Sequence, residues 1–357
     1  MNYLRDNLDY LSSISDSAKL YPVIKADAYG HGFKQIAEEL DKINVEGVCI
    51  ATVNELQNLI NLKVSYSILH MGKIDFTQVS LYNNNNVIAT INSLDDLRYI
   101  SEFCSDKDIL RVHIKIDTGM TRMGCSIDQF DEIFEKCLNM TNISLEGVYS
   151  HLANSDNINA DLNQIQIDSF ITIIDKIKRQ KNKNIKFHIL NSGGLFNYGS
   201  YKYSLVRAGL SVYGISPLGV HDNNLKPVME FKAPIILKKH IKEGVMIGYG
   251  NSYKSTKNMD IAIVQCGYGD GVPFEFSNRG FVYYNKIKMP IVGRVSMDLI
   301  CIDITDINIK IDDYVTLWGS IFNNDSRLEY IAEMFNKIPY TFITGITNRV
   351  RREYIYE

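Results

Sequence analysis

The chain has 357 residues, of which 45% are hydrophobic and 22% are charged. This composition is typical of a globular protein with a full apolar core, and it excludes a disordered chain or a fibrous repeat. With 38 Lys and Arg against 41 Asp and Glu, the net charge is −3, which excludes the strong positive field that binds nucleic acids or anionic membranes.

The first two thirds of the sequence alternate short β-branched runs with longer amphipathic segments. Segments such as FKQIAEELDKI and VNELQNLINL repeat apolar residues at three- and four-residue spacing, which predicts helices packed on one face of a sheet. Eight strands with crossover helices favour an α/β fold, a (β/α)8 TIM-type barrel over residues 1–227. The eight runs that predict these strands are YPVIKA, EGVCIA, YSILHM, NVIAT, ILRVHIKI, SLEGVYS, KFHIL and SLVRA.

The pattern changes after Val228. Strand-like runs now follow one another with few helical segments between them: PIILKKHI, DIAIVQ, FVYYNKIKMPIV, LICIDIT and DYVTLW. This predicts a mostly-β C-terminal domain over residues 228–357.

The six cysteines lie far apart in the sequence and form no C-x-x-C motif. Several fall within apolar runs such as GVCIAT and LICIDI, so we expect buried thiols in a reducing compartment, without disulfides or a metal site. No run of about 18 apolar residues is present, and the start, MNYLRDNLDYL, is neither a signal peptide nor a membrane span. We therefore expect the chain as given to be cytoplasmic.

Polar residues at the ends of the predicted strands are the candidates for chemistry, because the active sites of such barrels lie at the carboxyl ends of the strands. Lys25 follows YPVI and precedes ADAYGHG, so it is either a salt-bridged barrel lysine or a lysine that forms an imine with a carbonyl group. Asn191 and Ser192 follow the seventh strand in HILNSGGL, where small residues can present backbone N–H groups to a phosphate.

The eighth strand and its successor residues, in LVRAGLSVYG, supply Arg207, Gly209 and Leu210. The usual phosphate site of such a barrel lies between its last two strands. The fifth strand continues into HIKIDTGMTRMG, where Lys115 and Arg122 are either members of a structural ion cluster with Asp117 or functional residues.

His151 follows the sixth strand in SHLANSD and is either a structural histidine or part of the site. A lysine, a phosphate cradle and an arginine at strand ends are together the requirements of a pyridoxal phosphate site. An arginine such as Arg207 cannot give up its proton, so a pyridine nitrogen facing it stays largely unprotonated. A carbanion on the cofactor is then less delocalised, and side reactions are suppressed.

These motifs together resemble the alanine racemases. The resemblance runs from about Tyr21 to near the C-terminus, in order and at compatible spacing, through KADAYGHG, KIDTGMTRMG, SHLANSD, HILNSGG, VRAGLSVYG, IGYGNSY, GYGDG and GRVSMD. It implies a pyridoxal phosphate racemase with a barrel, a C-terminal β domain and two active sites in a head-to-tail homodimer.

The resemblance also implies individual roles. Lys25 would be the imine lysine and the base on one face of the substrate, and Tyr249 of the partner subunit would be the base on the opposite face. The phosphate would be held by Tyr29, Asn191, Ser192, Gly209 and Leu210, with Arg207 at the pyridine nitrogen. Arg122 would support the ring hydroxyl and the substrate carboxylate. The Met297 backbone N–H would also meet the substrate carboxylate, and Lys115, carbamylated in many relatives, would hold Arg122. His151 would belong to the cofactor-binding residues, with His188 and Tyr268 in support. The two histidines would link Tyr249 to Arg207.

Two opposed bases are what racemisation requires, because one base alone would tend to return the same enantiomer. A free tyrosine has a pKa of ~10 and is a poor base near neutrality, so the pKa of Tyr249 must be lowered by neighbouring positive charge or hydrogen bonds. We hypothesise that a network of His151 and Arg207 lowers the pKa of Tyr249.

The sequence departs from the family pattern at Asn348, where alanine racemases usually carry a tyrosine. Asparagine is smaller and can bond a β-hydroxyl, as in the serine/alanine racemases of vancomycin-resistance systems, which supply D-serine for cell-wall precursors. The main interpretation is therefore a racemase of both serine and alanine, since a pocket that merely tolerates a hydroxyl discriminates weakly. The alternative is an enzyme that acts almost only on alanine, with Asn348 a drifted residue at the phosphate rim.

Two further departures affect the interpretation. Phe274 stands where many relatives have an arginine near the substrate entrance, and the strand that precedes the first helix in relatives is absent. The chain resembles an excised catalytic domain, cut from a protein with an N-terminal membrane portion. Two other classes remain open, a non-catalytic pyridoxal phosphate carrier and a barrel-type amino-acid decarboxylase, although the latter typically pairs the pyridine nitrogen with an acid.

Overall fold

The computed structural model describes residues 1–84, 86–105, 109–180, 184–199 and 203–356. The chain divides into two compact units. Residues 5–28 and 32–212 form one, here the barrel unit, and residues 1–4, 29–31 and 213–357 form the other, here the β unit. The domain boundary after residue 227 stays a prediction.

The described residues of the barrel unit contain eight parallel strands, and seven of them overlap the runs that predicted them. The eight are β1 (Lys19–Leu20), β2 (Gly47–Ile50), β3 (Ser67–His70), β4 (Val87–Ile91), β5 (Leu110–Lys115), β6 (Ile143–Tyr149), β7 (Lys186–His188) and β8 (Leu205–Val206). The first strand, β1, instead precedes the run YPVIKA, in which only Val23 forms a bridge, to Cys49. Strands β2 to β7 pair in order as one sheet, and β1 pairs with β8. Hydrogen bonds from Ser204 N to Phe187 O and from Cys49 N to Pro22 O join this pair to both edges of the sheet. The strands therefore close into the predicted barrel.

Amphipathic helices connect the barrel strands. The chain begins with the helix Asn2–Ile14, and the later ones are Phe33–Lys42, Val53–Leu62, Leu94–Phe103, Ile127–Asn139, Asp161–Arg179 and Ser192–Tyr198. Thr52, Ser93 and Ser126 each accept a backbone N–H from the first turn of the helix that follows, which fixes where these helices begin. None of the described helices is long and apolar enough to cross a membrane.

The β unit contains an antiparallel sheet and a separate hairpin. The strands are β9 (Phe231–Ile241), β10 (Met246–Ile247), β11 (Tyr253–Lys254), β12 (Met259–Val264), β13 (Phe281–Tyr284), β14 (Ile287–Pro290), β15 (Ile300–Asp303) and β16 (Tyr314–Trp318), followed by the helices Leu328–Met334 and Pro339–Ile343. The sheet order is β14-β13-β16-β9-β12-β15, and β10 pairs with β11. The run FVYYNKIKMPIV, expected as one strand, is a hairpin that turns at Asn285, whose φ is 56°.

Each unit has an apolar core. In the β unit, the fully buried Trp318 packs against Phe231 at 4.8 Å and Phe342 at 5.8 Å between ring centroids. Four of the cysteines are buried as expected, whereas Cys104 and Cys301 are only half-buried because they lie near element ends or at a sheet edge.

Candidate active site

Lys25 begins a short left-handed turn. Ala26, Asp27 and Ala28 have φ of 53°, 56° and 52°. Residues with a Cβ rarely adopt this conformation, which costs roughly 1–2 kcal/mol per residue. The Asp27 carboxylate accepts the Phe33 N–H at 2.7 Å and its carbonyl accepts the Gly32 N–H at 3.0 Å, and these bonds hold the far end of the turn. The turn follows the bridge between Val23 and Cys49, and Lys25 begins it, five residues after the last residue of β1, Leu20.

Positive charge is concentrated around Lys25. Burial and the nearby Arg122 lower the pKa of Lys25. Burial, Arg207 and Arg122 lower the pKa of Lys115 to about 8. Three of these four cations are buried or half-buried. Such a cluster is complementary to an anionic ligand, and the lowered pKa keeps part of the amines neutral and nucleophilic.

Asp117 does not neutralise this cluster by a direct ion pair. Its Oδ1 accepts three backbone N–H groups, from Gly119, Met120 and Thr121, at 2.9–3.0 Å. These bonds shape the loop that carries the exposed Arg122. Asp117 is therefore a loop anchor whose charge also acts on Lys115, and a functional role of Lys115 and Arg122 stays a prediction.

Tyr149 lies among the cationic side chains inside the barrel. The Arg207 guanidinium stands 5.0 Å and the Lys115 amine 5.6 Å from the centre of its ring. The His188 ring stacks on it at 4.7 Å with an interplanar angle of 7°. Burial raises the pKa of Tyr149 to about 12, and its hydroxyl bonds Thr90 at 3.0 Å. The sequence interpretation missed Tyr149, although the strand register places it beside both Lys115 and His188.

Arg207 joins two histidines. One guanidinium nitrogen bonds Nδ1 of His188, and the other bonds Nδ1 of His151 at 3.1 Å and donates to the Ser150 carbonyl at 2.7 Å. Burial and Arg207 hold the pKa of both imidazoles well below the usual value. Nε2 of His188 contacts Nδ1 of His113 at 2.9 Å, another residue that sequence reasoning missed. His188 therefore has no ring nitrogen left to link Arg207 to Tyr249, and only His151 retains one.

The predicted phosphate loop is held by its own side chains. Asn191 Oδ1 accepts the Gly194 N–H at 2.9 Å and caps the helix Ser192–Tyr198. The buried Ser192 hydroxyl accepts the Gly209 N–H at 3.0 Å. The Gly209 N–H, expected at a phosphate, thus donates to Ser192 in this structure. Leu210 follows at the start of the short helix Leu210–Tyr213. Small residues and the N–H groups of a helix N-terminus therefore lie together after β7, an arrangement that is suited to binding an anion.

Tyr29 packs against other aromatic residues of the β unit. Its buried ring stacks on Tyr213 at 5.0 Å and lies 5.8 Å from Tyr340. The adjacent Gly30 has φ +80°, and a Cβ there would lie 1.8 Å from the Ile343 carbonyl oxygen. Glycine is therefore required at position 30, which fixes the chain immediately after Tyr29.

Tyr249 lies in the tight turn between β10 and β11. It is flanked by Gly248 and Gly250, with φ of 73° and 67°, a conformation that glycine adopts without strain. Its side chain is 72% exposed in the single chain. The turn thus presents a phenol group on the surface of the β unit.

Three loops of the β unit bring Tyr268, Met297 and Asn348 together. The Met297 carbonyl accepts the Gly269 N–H at 2.9 Å. Arg349, next to Asn348, donates to Asp298 at 2.6 Å and lies 3.4 Å from Asp270. These bonds clamp all three loops to one side chain. We call this group the Arg349 clamp.

The predicted entrance residue Phe274 starts the short helix Phe274–Phe276. Its side chain is 51% exposed, so an apolar ring occupies the surface there. The predicted substrate residues Met297 and Asn348 and the predicted supporting residue Tyr268, all in the clamp, are exposed as well.

Known proteins resemble this chain over nearly its whole length. The family model "Alanine racemase, N-terminal domain" matches residues 1–217, and "Alanine racemase, C-terminal domain" matches residues 228–354. An alanine racemase of Coxiella burnetii is 32% identical over 98% of this chain and 95% of its own length. That of Vesicomyosocius okutanii is 31% identical over 97% and 95%.

Solved structures of alanine racemases also resemble this chain. Alanine racemase of Clostridium difficile has a TM-score of 0.88 at 30% identity, covering 99% of this chain and 94% of its own. The Bartonella henselae enzyme, described with covalently bound pyridoxal phosphate, has a TM-score of 0.88 at 28% identity, covering 99% and 97%. Members of this family use pyridoxal phosphate, which confirms the cofactor predicted from the strand-end residues. By both domain matches and by relatives more than 30% identical over nearly its full length, the chain belongs to the alanine racemase family.

Proposed function

We propose that this chain is a pyridoxal-phosphate-dependent alanine racemase that interconverts L- and D-alanine. The observation that carries the proposal is the cationic cluster around Lys25, in which an amine of lowered pKa lies near Arg122. Family membership and the names of the relatives support alanine as the substrate. They favour the alternative of the sequence interpretation over its main one, the racemase of both serine and alanine.

The residues present suit the cofactor. The phosphate and ring oxygen of pyridoxal phosphate would supply anions complementary to Lys25, Lys115 and Arg122. Ser192 and the N-terminus of its helix would hold the phosphate. Arg207 would face the pyridine nitrogen, and because it only donates hydrogen bonds it would keep that nitrogen unprotonated.

The bound cofactor supplies an electron sink that weakens the Cα–H bond of the amino acid. Lys25 would hold the abstracted or delivered proton at Nζ on one face of the substrate. Tyr249 of the partner subunit would do the same at its phenol oxygen on the other face, which agrees with the exposure of this side chain in the single chain. A homodimer with shared sites is part of the proposal.

Chiral chromatography of L-alanine incubated with the protein and the cofactor tests the proposal. Exchange of enantiomers is expected, and Lys25→Ala should abolish both cofactor attachment and exchange. Tyr249→Phe should keep the cofactor but lose racemisation of L-alanine. Release of carbon dioxide would instead identify a decarboxylase, and an inert protein that binds the cofactor would identify a carrier.

Serine use is a second candidate, and it depends on Asn348. This exposed residue is held next to Tyr268 and Met297 by the Arg349 clamp, where a small amide leaves room for a β-hydroxyl. The ratio of kcat/KM for L-serine to that for L-alanine should fall in Asn348→Tyr. An unchanged ratio would remove Asn348 from substrate selection.

A further inference from the structure

We propose that Glu55 is a positioning residue for Lys25. Its carboxylate holds the backbone N–H of Ala26, the residue that follows Lys25, and so fixes the left-handed turn from which the lysine projects. The inference rests on the proposed function, in which Lys25 binds the cofactor.

One carboxylate serves three backbone donors here. Oε1 of Glu55 accepts the Ala26 N–H at 2.8 Å. Oε2 accepts the Ala51 N–H at 2.8 Å and the Thr52 N–H at 3.0 Å. Ala51 and Thr52 follow β2, and Ala26 follows β1 by way of the bridge between Val23 and Cys49. Glu55 therefore ties together the ends of two neighbouring barrel strands.

Helix capping explains only part of this arrangement. Thr52 and Glu55 form a capping box, in which the Thr52 side chain accepts the Glu55 N–H at 3.3 Å. The bond to Ala26 lies outside that motif and spans 29 residues. A glutamate needed only for the cap would have no reason to reach this turn.

The turn needs external support because its conformation is unfavourable. Ala26 and Ala28 lie in the left-handed region, which persists in residues with a Cβ only where surrounding contacts hold them. Asp27 supplies such contacts at the far end, and the Ala28 N–H donates to Ile24 O at 2.9 Å. Glu55 supplies the contact next to Lys25. Without it the Ala26 N–H loses its partner and the lysine loses its fixed origin.

The charge of Glu55 also acts on the lysine. Burial and Arg122 lower the pKa of Lys25, whereas Glu55 opposes them, and Cys49 acts in the same direction as Glu55. On the other side, Lys115 and His151 also interact with Lys25 electrostatically. Removing the Glu55 charge therefore leaves the amine among cations and lowers its pKa further.

Two variants separate position from charge. The full-length chain, freed of cofactor with hydroxylamine, is mixed with pyridoxal phosphate, and the rate of imine formation is followed by absorbance against pH. The neutral amine is the nucleophile, so the profile rises to a plateau with an inflection at the pKa of Lys25. Glu55→Gln should lower the plateau roughly tenfold and shift the inflection to lower pH. Glu55→Asp keeps the charge but is one methylene shorter, so only the plateau should fall.

Thr52→Ala is the matched control. It removes the side-chain cap but no bond of the Glu55 carboxylate, so it should reduce thermal stability and leave the profile unchanged. Wild-type plateaus in both Glu55 variants would overturn the inference, as would a shifted inflection with an unchanged plateau. If Glu55→Gln does not fold, Glu55→Asp alone decides by its plateau. A wild type that forms the imine no faster than free lysine, or no faster than Lys25→Ala, would instead overturn the proposed function.

Discussion

Arg207 donates a hydrogen bond to Nδ1 of His188, and this contact orders the protons of two imidazoles, those of His188 and His113. Arginine has donors only, so Nδ1 of His188 must be an acceptor and its proton lies on Nε2. That N–H donates to Nδ1 of His113 at 2.9 Å, which places the proton of His113 on Nε2 as well. His151 accepts from Arg207 through Nδ1 in the same way. The proton of His151 therefore also lies on Nε2.

We therefore expect His113, His151 and His188 to be neutral Nε2–H tautomers. Long-range ¹H–¹⁵N correlation spectra of the labelled protein distinguish the two tautomers directly. His240 is the internal reference, because its Nδ1 lies 2.8 Å from an Asp260 oxygen and must carry a proton. An Nδ1–H signal for His188 would contradict the ordering.

The same histidines make stability depend on pH. Burial lowers the pKa of His113 to about 3, and that of His188 also lies well below its usual value. In the unfolded chain these groups titrate near ~6.5, so below that pH the unfolded state binds more protons than the folded state. The stability they contribute is present above ~6.5 and is lost as the pH falls.

The free energy of unfolding should therefore decrease between pH 6.5 and 5, by up to about 1.4 kcal/mol per pH unit for each such histidine. Urea titrations at fixed ionic strength measure this slope. His113→Phe should have a smaller slope, since one titrating group is gone. A wild-type stability that stays level over this range would refute the prediction.

Arg349→Met should loosen the loops that carry Tyr268, Met297 and Asn348, because it removes the bonds to Asp298 and Asp270. We expect KM for alanine to rise about tenfold while kcat changes less, since the loops proposed to bind the substrate are affected and Lys25 is not. Steady-state kinetics in both directions measure the two constants.

Arg351→Met is the control for that variant. Arg351 is 85% exposed and pairs with Glu353 at 3.2 Å, so its loss should leave KM unchanged. Equal effects of the two substitutions would mean that the Arg349 clamp has no role in positioning the loops.

Gly30→Ala should be strongly destabilising. Both Gly30 and Gly219 have positive φ, but a Cβ at Gly30 would overlap the Ile343 carbonyl, whereas at Gly219 nothing lies within 4 Å. Gly219→Ala should cost about 1 kcal/mol through backbone strain, and Gly30→Ala about 3 kcal/mol or more. Denaturant midpoints compare them, and similar losses would contradict the predicted overlap.

The hydrophobic pattern was sufficient to predict seven of the barrel strands and the sheet of the β unit, but it placed the first strand at YPVIKA, after the actual position of β1. It failed for FVYYNKIKMPIV, because a hairpin whose turn is Asn-Lys lacks the glycine signal of tight turns. Motifs with small residues at the predicted strand ends singled out Lys25, Ser192 and Arg207 as candidate site residues. Their positions follow from the order of elements in a barrel.

The interior polar residues were beyond sequence reasoning. Parallel barrel strands are apolar on both faces, so alternation does not reveal which side chains point inward. Tyr149 and His113 are recognisable only once the register places them against His188. Glu55 was hidden in an ordinary capping pattern. The prediction of serine as a substrate depended on Asn348 alone. A single residue is weaker evidence for a substrate than similarity to alanine racemases over nearly the whole chain.

The left-handed turn also limits how this segment can vary. Positions 26–28 accept alanine, aspartate, asparagine or glycine, whereas valine, isoleucine or threonine would crowd the backbone there whatever their chemistry. Natural variants should therefore change little at Ala26 and Ala28, although neither side chain contains a reactive group. Invariance at these two positions would record the shape of the main chain, and it should not be taken as a sign of contact with a ligand.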